Sequence, residues 1–198
     1  MHPQLDQCLN FILRTEFLAT LARIKPLSII RAFEQSTFEK AWKDSWSQGV
    51  IQNSDLVWKL KDHISGPILW VGSKTELQKY FLNCDGDALF EFVEKKAASL
   101  GSEAERHTFW GTLLGYPKSA VLEYRGRSAE SGNSAIFVPL FPLDFKPSIP
   151  AGFLTKNFNN EDVVIFLKRT YLAAESLEMQ MTNGVHPASI INGWNFFP

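Results

Sequence analysis

Hydrophobic residues recur at helical spacing through the first part of the chain. Apolar positions over residues 4–23 follow the period of an amphipathic helix, and Pro26 interrupts that pattern. The period resumes over 27–47, and a third, short helix is expected after Ser54. One aromatic stripe of the second helix is expected to be buried against the first helix: Phe38, Trp42 and Trp46.

The pattern changes at residue 66. Pro67 to Val71 is a compact apolar run bounded by glycines, which predicts a buried strand. Ser73, followed three residues later by Glu76, predicts a capping box and a helix directly after the strand. A strand, a Gly-Ser turn and a helix form half of an α/β unit. Such a helix start binds phosphate in some proteins, but this segment has a single glycine and neither of the glycine-rich phosphate-binding motifs.

The chain from residue 87 onward is predicted to form further helices and one strand. The expected elements are a helix over 87–99, a helix over 103–114 opened by a capping box of Ser102 and Glu105, a helix over 117–126, a strand over 135–141 with Pro139 at an edge or bulge, and a long amphipathic helix from Asn160. These elements predict a helix-dominated α+β fold with a small sheet of few strands, with α/β as the alternative. We expect a single domain over 1–198, with a helical N-terminal part (1–65) and a mixed part (66–198).

Composition narrows the functional classes. The chain has 198 residues, 45% of them hydrophobic, and a net charge of −1 without blocks of like charge. This balance argues against nucleic-acid binding, and no apolar run is long enough to span a membrane. Its two cysteines, Cys8 and Cys84, are expected to be reduced thiols of a cytoplasmic protein, and no signal peptide is expected. The sixteen Phe and six Trp predict a bulky core, or a pocket or interface lined by aromatic rings.

Metal and cofactor motifs are missing from the sequence. The pair of aspartates around Gly86 lacks the alternating ligands of a calcium loop, and capping by Asp85 or Asp87 explains it better. Glu103 lies four residues before His107, so the two share a helical face. They are candidates for metal ligands, for a general base oriented by a carboxylate, or for a surface ion pair. We assign no metal and leave the cofactor unknown.

The segment Leu-Leu-Gly-Tyr-Pro joins two of the predicted helices. Gly115 is suited to end the first, and Pro117 to begin the second. Tyr116 cannot cap a helix with a short side chain, so the N–H groups near Lys118 and Ser119 require water, a neighbour or a ligand. The helix dipole and the Lys118 ammonium group both favour an anion there.

This motif, together with the strand-Gly-Ser-helix segment before it, resembles an uncharacterised family of bacterial and archaeal proteins. In that family Leu-Gly-Tyr-Pro is followed by an acidic or polar residue and then by paired cysteines. The resemblance covers about residues 66–125 and implies no established activity. Lys118, Ser119 and Ala120 stand where the cysteines are expected, so thiol chemistry at this position is not predicted.

We therefore expect a cytosolic enzyme or small-molecule-binding protein, such as one from a specialised biosynthetic pathway, with an anion-accepting pocket at the 107–127 corner. Proton transfer is assigned to His107 with Glu103, and substrate orientation to Tyr116. The expected ligand-binding residues are Lys118, Ser119, Glu123, Arg125, Arg127 and Trp110. The alternative is a helical interaction or regulatory protein without catalysis, whose aromatic stripe and C-terminal Asn-Gly-Trp-Asn-Phe-Phe-Pro segment contact a partner. The sequence leaves homo-oligomerisation open.

Overall fold

The computed structural model describes residues 16–31, 46–64, 66–81, 87–125, 136–139 and 152–193. Within these ranges the chain forms eight helices: α1 (Phe17–Leu21), α2 (Ser47–Gln52), α3 (Lys74–Gln78), α4 (Asp87–Ala98), α5 (Glu103–Leu113), α6 (Lys118–Arg125), α7 (Glu161–Thr182) and α8 (Pro187–Gly193). The same ranges contain five strands: β1 (Leu27–Arg31), β2 (Leu56–Lys61), β3 (Ile68–Ser73), β4 (Ile136–Pro139) and β5 (Gly152–Thr155).

The larger sheet is antiparallel and has the order β1-β3-β2, so β3 lies at its centre. All six residues of β3 are buried, which confirms the buried strand predicted from the apolar run. Because side chains alternate across a sheet, Ile68 and Trp70 pack with residues of α3, α4 and α5, whereas Leu69 and Val71 pack with residues of α1, α2, α7 and α8. The sheet therefore separates two hydrophobic clusters.

The fold class is α+β and is dominated by helices, as predicted. The α/β alternative does not apply, because both strand pairings of the larger sheet are antiparallel. That sheet also crosses the expected division at residue 65, since β1 and β2 precede it and β3 follows it.

Two predicted helices are wrong. A helix is expected over 27–47, but its first five residues form β1, in which Ile29 and Ile30 pair with β3. The helix expected after Ser54 is β2, where Leu56, Trp58 and Leu60 alternate with polar or smaller residues at the two-residue period of a strand. Both segments are short, and pairing with β3 decides their conformation.

The predicted helix starts at Ser73 and Ser102 are confirmed. The Ser73 hydroxyl accepts a hydrogen bond from the Glu76 N–H at the start of α3. Ser102 and Glu105 form a reciprocal capping box at the start of α5, in which each side chain accepts the other residue's backbone N–H. The predicted capping box at Ser73 is only half formed, because the Ser73 N–H donates to the Pro26 carbonyl at 2.9 Å and not to the Glu76 side chain.

The second sheet pairs β4 with β5, and β5 was not predicted. Trp46 is buried and lies 5.0 Å from Phe17 of α1 between ring centroids, as expected for the aromatic stripe. Several predictions fall outside the described residues, namely those on Cys8, Phe38, Trp42, Cys84, Asp85, Arg127 and the tail after Gly193. Within the described ranges, no helix has both the length and the hydrophobicity to cross a lipid bilayer.

Candidate functional site

The corner between α5 and α6 is closed by Gly115. Its φ is +64°, and the N–H groups of Gly115 and Tyr116 donate to the carbonyls of Thr112 and Gly111, both at 3.0 Å. This arrangement is a Schellman motif. A Cβ at Gly115 would lie 2.7 Å from the Cα of Lys25, so glycine is required by backbone conformation and by packing. The structural interpretation of the motif is confirmed.

A carboxylate from α7 caps the start of α6. Asp162 accepts hydrogen bonds from the Ser119 N–H at 2.8 Å and from the Ser119 hydroxyl at 2.7 Å. Burial acts to raise the pKa of Asp162, but the bonds from Ser119 and from the Val163 N–H outweigh it, and the pKa lies below its ordinary value. The helix start therefore does attract an anion, and this anion belongs to the chain itself.

Glu123 is held in the same region. Its carboxylate accepts hydrogen bonds from the Thr155 hydroxyl at 2.8 Å and from the Asn160 side-chain amide at 3.2 Å. Ser119 and Glu123 share one face of α6, as expected, and that face contacts the β5–α7 connection. Ser119 thus connects α6 to α7, and Glu123 connects α6 to β5 and to the residue before α7. That these two side chains bind a ligand stays a prediction.

Tyr116 belongs to a buried polar cluster with Glu16 and Lys25. The Tyr116 hydroxyl donates to Glu16 Oε1 at 2.6 Å, and Lys25 Nζ lies 2.6 Å from Glu16 Oε2 and 4.3 Å from the Tyr116 ring centroid. Burial raises the pKa of Tyr116, and Glu16 raises it further, so the hydroxyl stays protonated. Burial also lowers the pKa of Lys25, and Glu16 offsets part of that effect.

An apolar pocket opens on the other side of the corner. It has a volume of about 220 Å³ and is open to solvent on one side. Helices α5 and α6 form its walls, and β5 closes it. Its lining residues are His107, Trp110, Gly111, Leu114, Tyr116, Ala120, Val121, Tyr124, Phe153 and Leu154.

The pocket depends on a close approach of α5 to α6. A Cβ at Gly111 would lie 2.7 Å from Val121 Cγ2, so only glycine permits the observed distance between the helices. Tyr116 lines the pocket with its ring alone, because its hydroxyl donates its hydrogen bond to Glu16. The Phe153 ring lies 5.9 Å from that of Tyr116 and links the pocket to Phe166 of α7.

His107 lies at the rim of this pocket. Its Nε2 is 3.6 Å from Glu103 Oε1, and the Glu103 side chain is 79% exposed. This pair is a solvent-exposed contact within α5, a type of interaction that stabilises a helix by a few tenths of a kcal/mol. The His107 ring also packs edge-on against Tyr124, with 5.1 Å between ring centroids.

The remaining predicted site residues are divided between the pocket and the surface. Trp110 lines the pocket and packs edge-on against Trp70 at 5.8 Å. Lys118 is exposed, and it is not among the residues that line the pocket. Arg125 ends α6, and Arg127 lies outside the described residues. Within the described ranges, no group of three or more His, Cys, Asp or Glu side chains is placed to hold a metal ion.

The sequence did not reveal several residues that build this region. Phe153 and Leu154 come from the unpredicted β5, and Asp162 reads in sequence only as a favourable acid in the first turn of its own helix. Lys25 is fully buried, and nothing in the sequence around it indicates this. Comparison with protein-family models, with curated proteins and with solved structures found no match to this chain, so the resemblance based on Leu-Gly-Tyr-Pro stays a prediction.

Proposed function

We propose that this protein binds a small apolar molecule, of the size of one or two aromatic rings, in the pocket between α5, α6 and β5. The observation that carries this proposal is the lining, in which aromatic and aliphatic side chains surround about 220 Å³ at the predicted corner. An apolar cavity of roughly 150 Å³ already accommodates benzene, so the pocket is suited to a ligand such as indole.

Polar recognition in this proposal is limited to the rim. His107 offers an imidazole beside Tyr124, whereas the Tyr116 hydroxyl is bonded to Glu16. The bound molecule would therefore have an apolar body and one polar atom near His107. The anionic group expected from the sequence would have to reach Lys118 on the surface.

The geometry favours binding over turnover. His107 and Glu103 are both solvent-accessible, and the other predicted catalytic group, Tyr116, has a hydroxyl held inside the chain. Proton transfer by His107 stays a proposal that rests on the sequence. The cytosolic location, with a role in small-molecule metabolism, is part of the same proposal.

Calorimetric titration with indole tests this function. Leu154 lines the pocket and is 36% exposed, whereas Leu60 of β2 is 45% exposed and does not line it. We expect Leu154→Trp to fill the pocket and weaken indole binding at least tenfold, and Leu60→Trp to leave it unchanged. Equal affinities for both variants would reject the pocket as the binding site.

Repeating the titration with indole-3-acetate separates the apolar and the anionic parts of the proposal. If the carboxylate reaches Lys118, Lys118→Ala weakens binding of indole-3-acetate and does not change binding of indole. If Lys118→Ala changes neither affinity, the anionic group is not part of recognition at this corner. His107→Ala is expected to weaken both probes by a few-fold, through loss of one hydrogen bond.

A further inference from the structure

The outer side of α7 carries large apolar side chains interspersed with charged ones. The inner side of the helix is buried in the core through Val163, Phe166, Thr170, Ala173, Ala174, Leu177 and Met181. The outer side exposes five large apolar side chains, each by more than a third of its surface: Val164, Ile165, Tyr171, Leu172 and Met179. Amphipathic surface helices normally carry polar residues there, so this outer face is typical of an interaction surface.

Two charged residues lie along the middle of this outer face. Lys168 and Glu175 are both exposed and lie seven positions apart, or about two helical turns. The residues three and four positions from Lys168 are all apolar, as the sequence shows: Val164, Ile165, Tyr171 and Leu172. In the described part of the chain, neither Lys168 nor Glu175 pairs with an opposite charge. Among the described residues, therefore, no opposite charge competes for either side chain with a charge on another molecule.

An antiparallel copy of the same helix supplies the complementary pattern. A two-fold axis at the level between Tyr171 and Leu172 places Lys168 opposite Glu175 of the second copy, and Glu175 opposite its Lys168. The same axis brings Ile165 close to Met179 and Leu172 close to its own counterpart. The outer face is thus self-complementary in charge and in apolar contact, as a two-fold interface requires.

We propose that the outer face of α7 binds the outer face of a second copy of this chain, with the two helices antiparallel. A membrane surface is a poorer partner, because the exposed Glu161, Glu175 and Glu178 outnumber Lys168 on this face. Amphipathic helices that bind membranes carry mainly lysine and arginine at their polar positions.

Sedimentation equilibrium of the full chain tests the proposal through the charges. Lys168→Glu replaces both Lys–Glu contacts across the interface with contacts between two glutamates. Glu175→Lys replaces the same two contacts with contacts between two lysines. We expect each single variant to raise the dimer dissociation constant by roughly ten- to a hundredfold. An equimolar mixture of the two variants restores both opposite-charge pairs, so the mixture is expected to dimerise with an affinity close to that of the wild type.

Lys95→Glu provides the matched control, because Lys95 is an exposed lysine on α4. This variant is expected to dimerise like the wild type, and circular dichroism verifies that every variant is folded. A wild-type chain that stays monomeric from about 1 µM to about 1 mM overturns the proposal. Dimers that are insensitive to both charge reversals also overturn it. A monomer that binds vesicles of phosphatidylcholine and phosphatidylserine, and loses this binding in Leu172→Asp, assigns the face to membranes and likewise overturns it.

Discussion

Asp162 and Ser119 connect two helices that are far apart in the sequence. The Asp162 carboxylate receives both the backbone N–H and the hydroxyl of Ser119, so the first turn of α7 caps the first turn of α6. A short carboxylate is a strong helix cap even when it comes from another segment. This contact fixes the position of α6, and thereby the α6 wall of the apolar pocket.

Removing this cap is predicted to destabilise the protein. We expect Asp162→Ala to lower the free energy of unfolding by about 1–2 kcal/mol, because the Ser119 N–H loses its partner. Glu161→Ala is the control, since Glu161 lies in the same first turn of α7 and is exposed. That variant is expected to cost about 0.5 kcal/mol, from the helix dipole alone. Urea denaturation followed by circular dichroism measures both, and equal losses would contradict the capping role.

Acid is predicted to weaken the same contacts. Hydrogen bonds hold the pKa of Asp162 and of Asp55 below their ordinary value, although burial acts against this. A carboxylate with a lowered folded-state pKa stabilises the protein above its unfolded pKa of about 4, and this stabilisation is lost as the pH falls through the folded pKa.

The unfolding temperature is therefore expected to fall as the pH is lowered from about 5 to about 2. Asp162→Asn should flatten part of this dependence, because this variant removes the carboxylate whose pKa is lowered. Differential scanning calorimetry across this pH range provides the measurement. A slope that Asp162→Asn leaves unchanged would show that Asp162 does not contribute to acid sensitivity.

Gly115 and Gly184 offer a matched comparison for the corner. Both have a positive φ, +64° and +77°, and both follow the end of a helix. A Cβ at Gly184 meets nothing within 4 Å, whereas one at Gly115 meets the backbone of Lys25 at 2.7 Å. We expect Gly184→Ala to cost about 1 kcal/mol from backbone strain, and Gly115→Ala to cost about 3 kcal/mol or more because the Lys25 segment must move. Similar costs in urea denaturation would argue against the close packing at Gly115.

The buried ion pair predicts an asymmetric double-mutant cycle. Lys25 is fully buried, whereas the Glu16 side chain is 13% exposed. Glu16→Gln leaves an uncompensated buried ammonium and is expected to cost about 3 kcal/mol, which is more than the cost of Lys25→Met. The double variant should be more stable than Glu16→Gln alone, because no charge then stays buried without a partner. Additive losses would mean that the two side chains are not energetically coupled.

Local signals in the sequence were sufficient for the helices with clear caps. Ser102 with Glu105 specified the start of α5, and Gly115 with Pro117 specified the corner, because these effects act within a few residues. The apolar spacing of residues 27–31 and 56–61 predicts helix, but both segments are strands because they pair with β3, which lies elsewhere in the chain. Non-local pairing of this kind overrides local apolar spacing.

In the candidate site too, local features could be predicted from the sequence and contacts between distant segments could not. The sequence predicts a ligand anion at the start of α6, and it could not show that the Asp162 carboxylate, 43 positions away, binds Ser119 there. Asp55 plays a similar part at α3, where its carboxylate accepts the Thr75 N–H at 3.0 Å. The pocket required Phe153 and Leu154 beside Val121, a juxtaposition that no local pattern encodes.

The most direct test of the apolar binding site is a titration of the ¹⁵N-labelled protein with indole, followed by two-dimensional ¹H–¹⁵N correlation spectra. The account predicts that the largest amide shifts fall within residues 107–124 and at Phe153 and Leu154, with saturation of all these signals at one common dissociation constant. Shifts confined to other parts of the chain, or spectra that indole leaves unchanged up to its solubility limit, would contradict it.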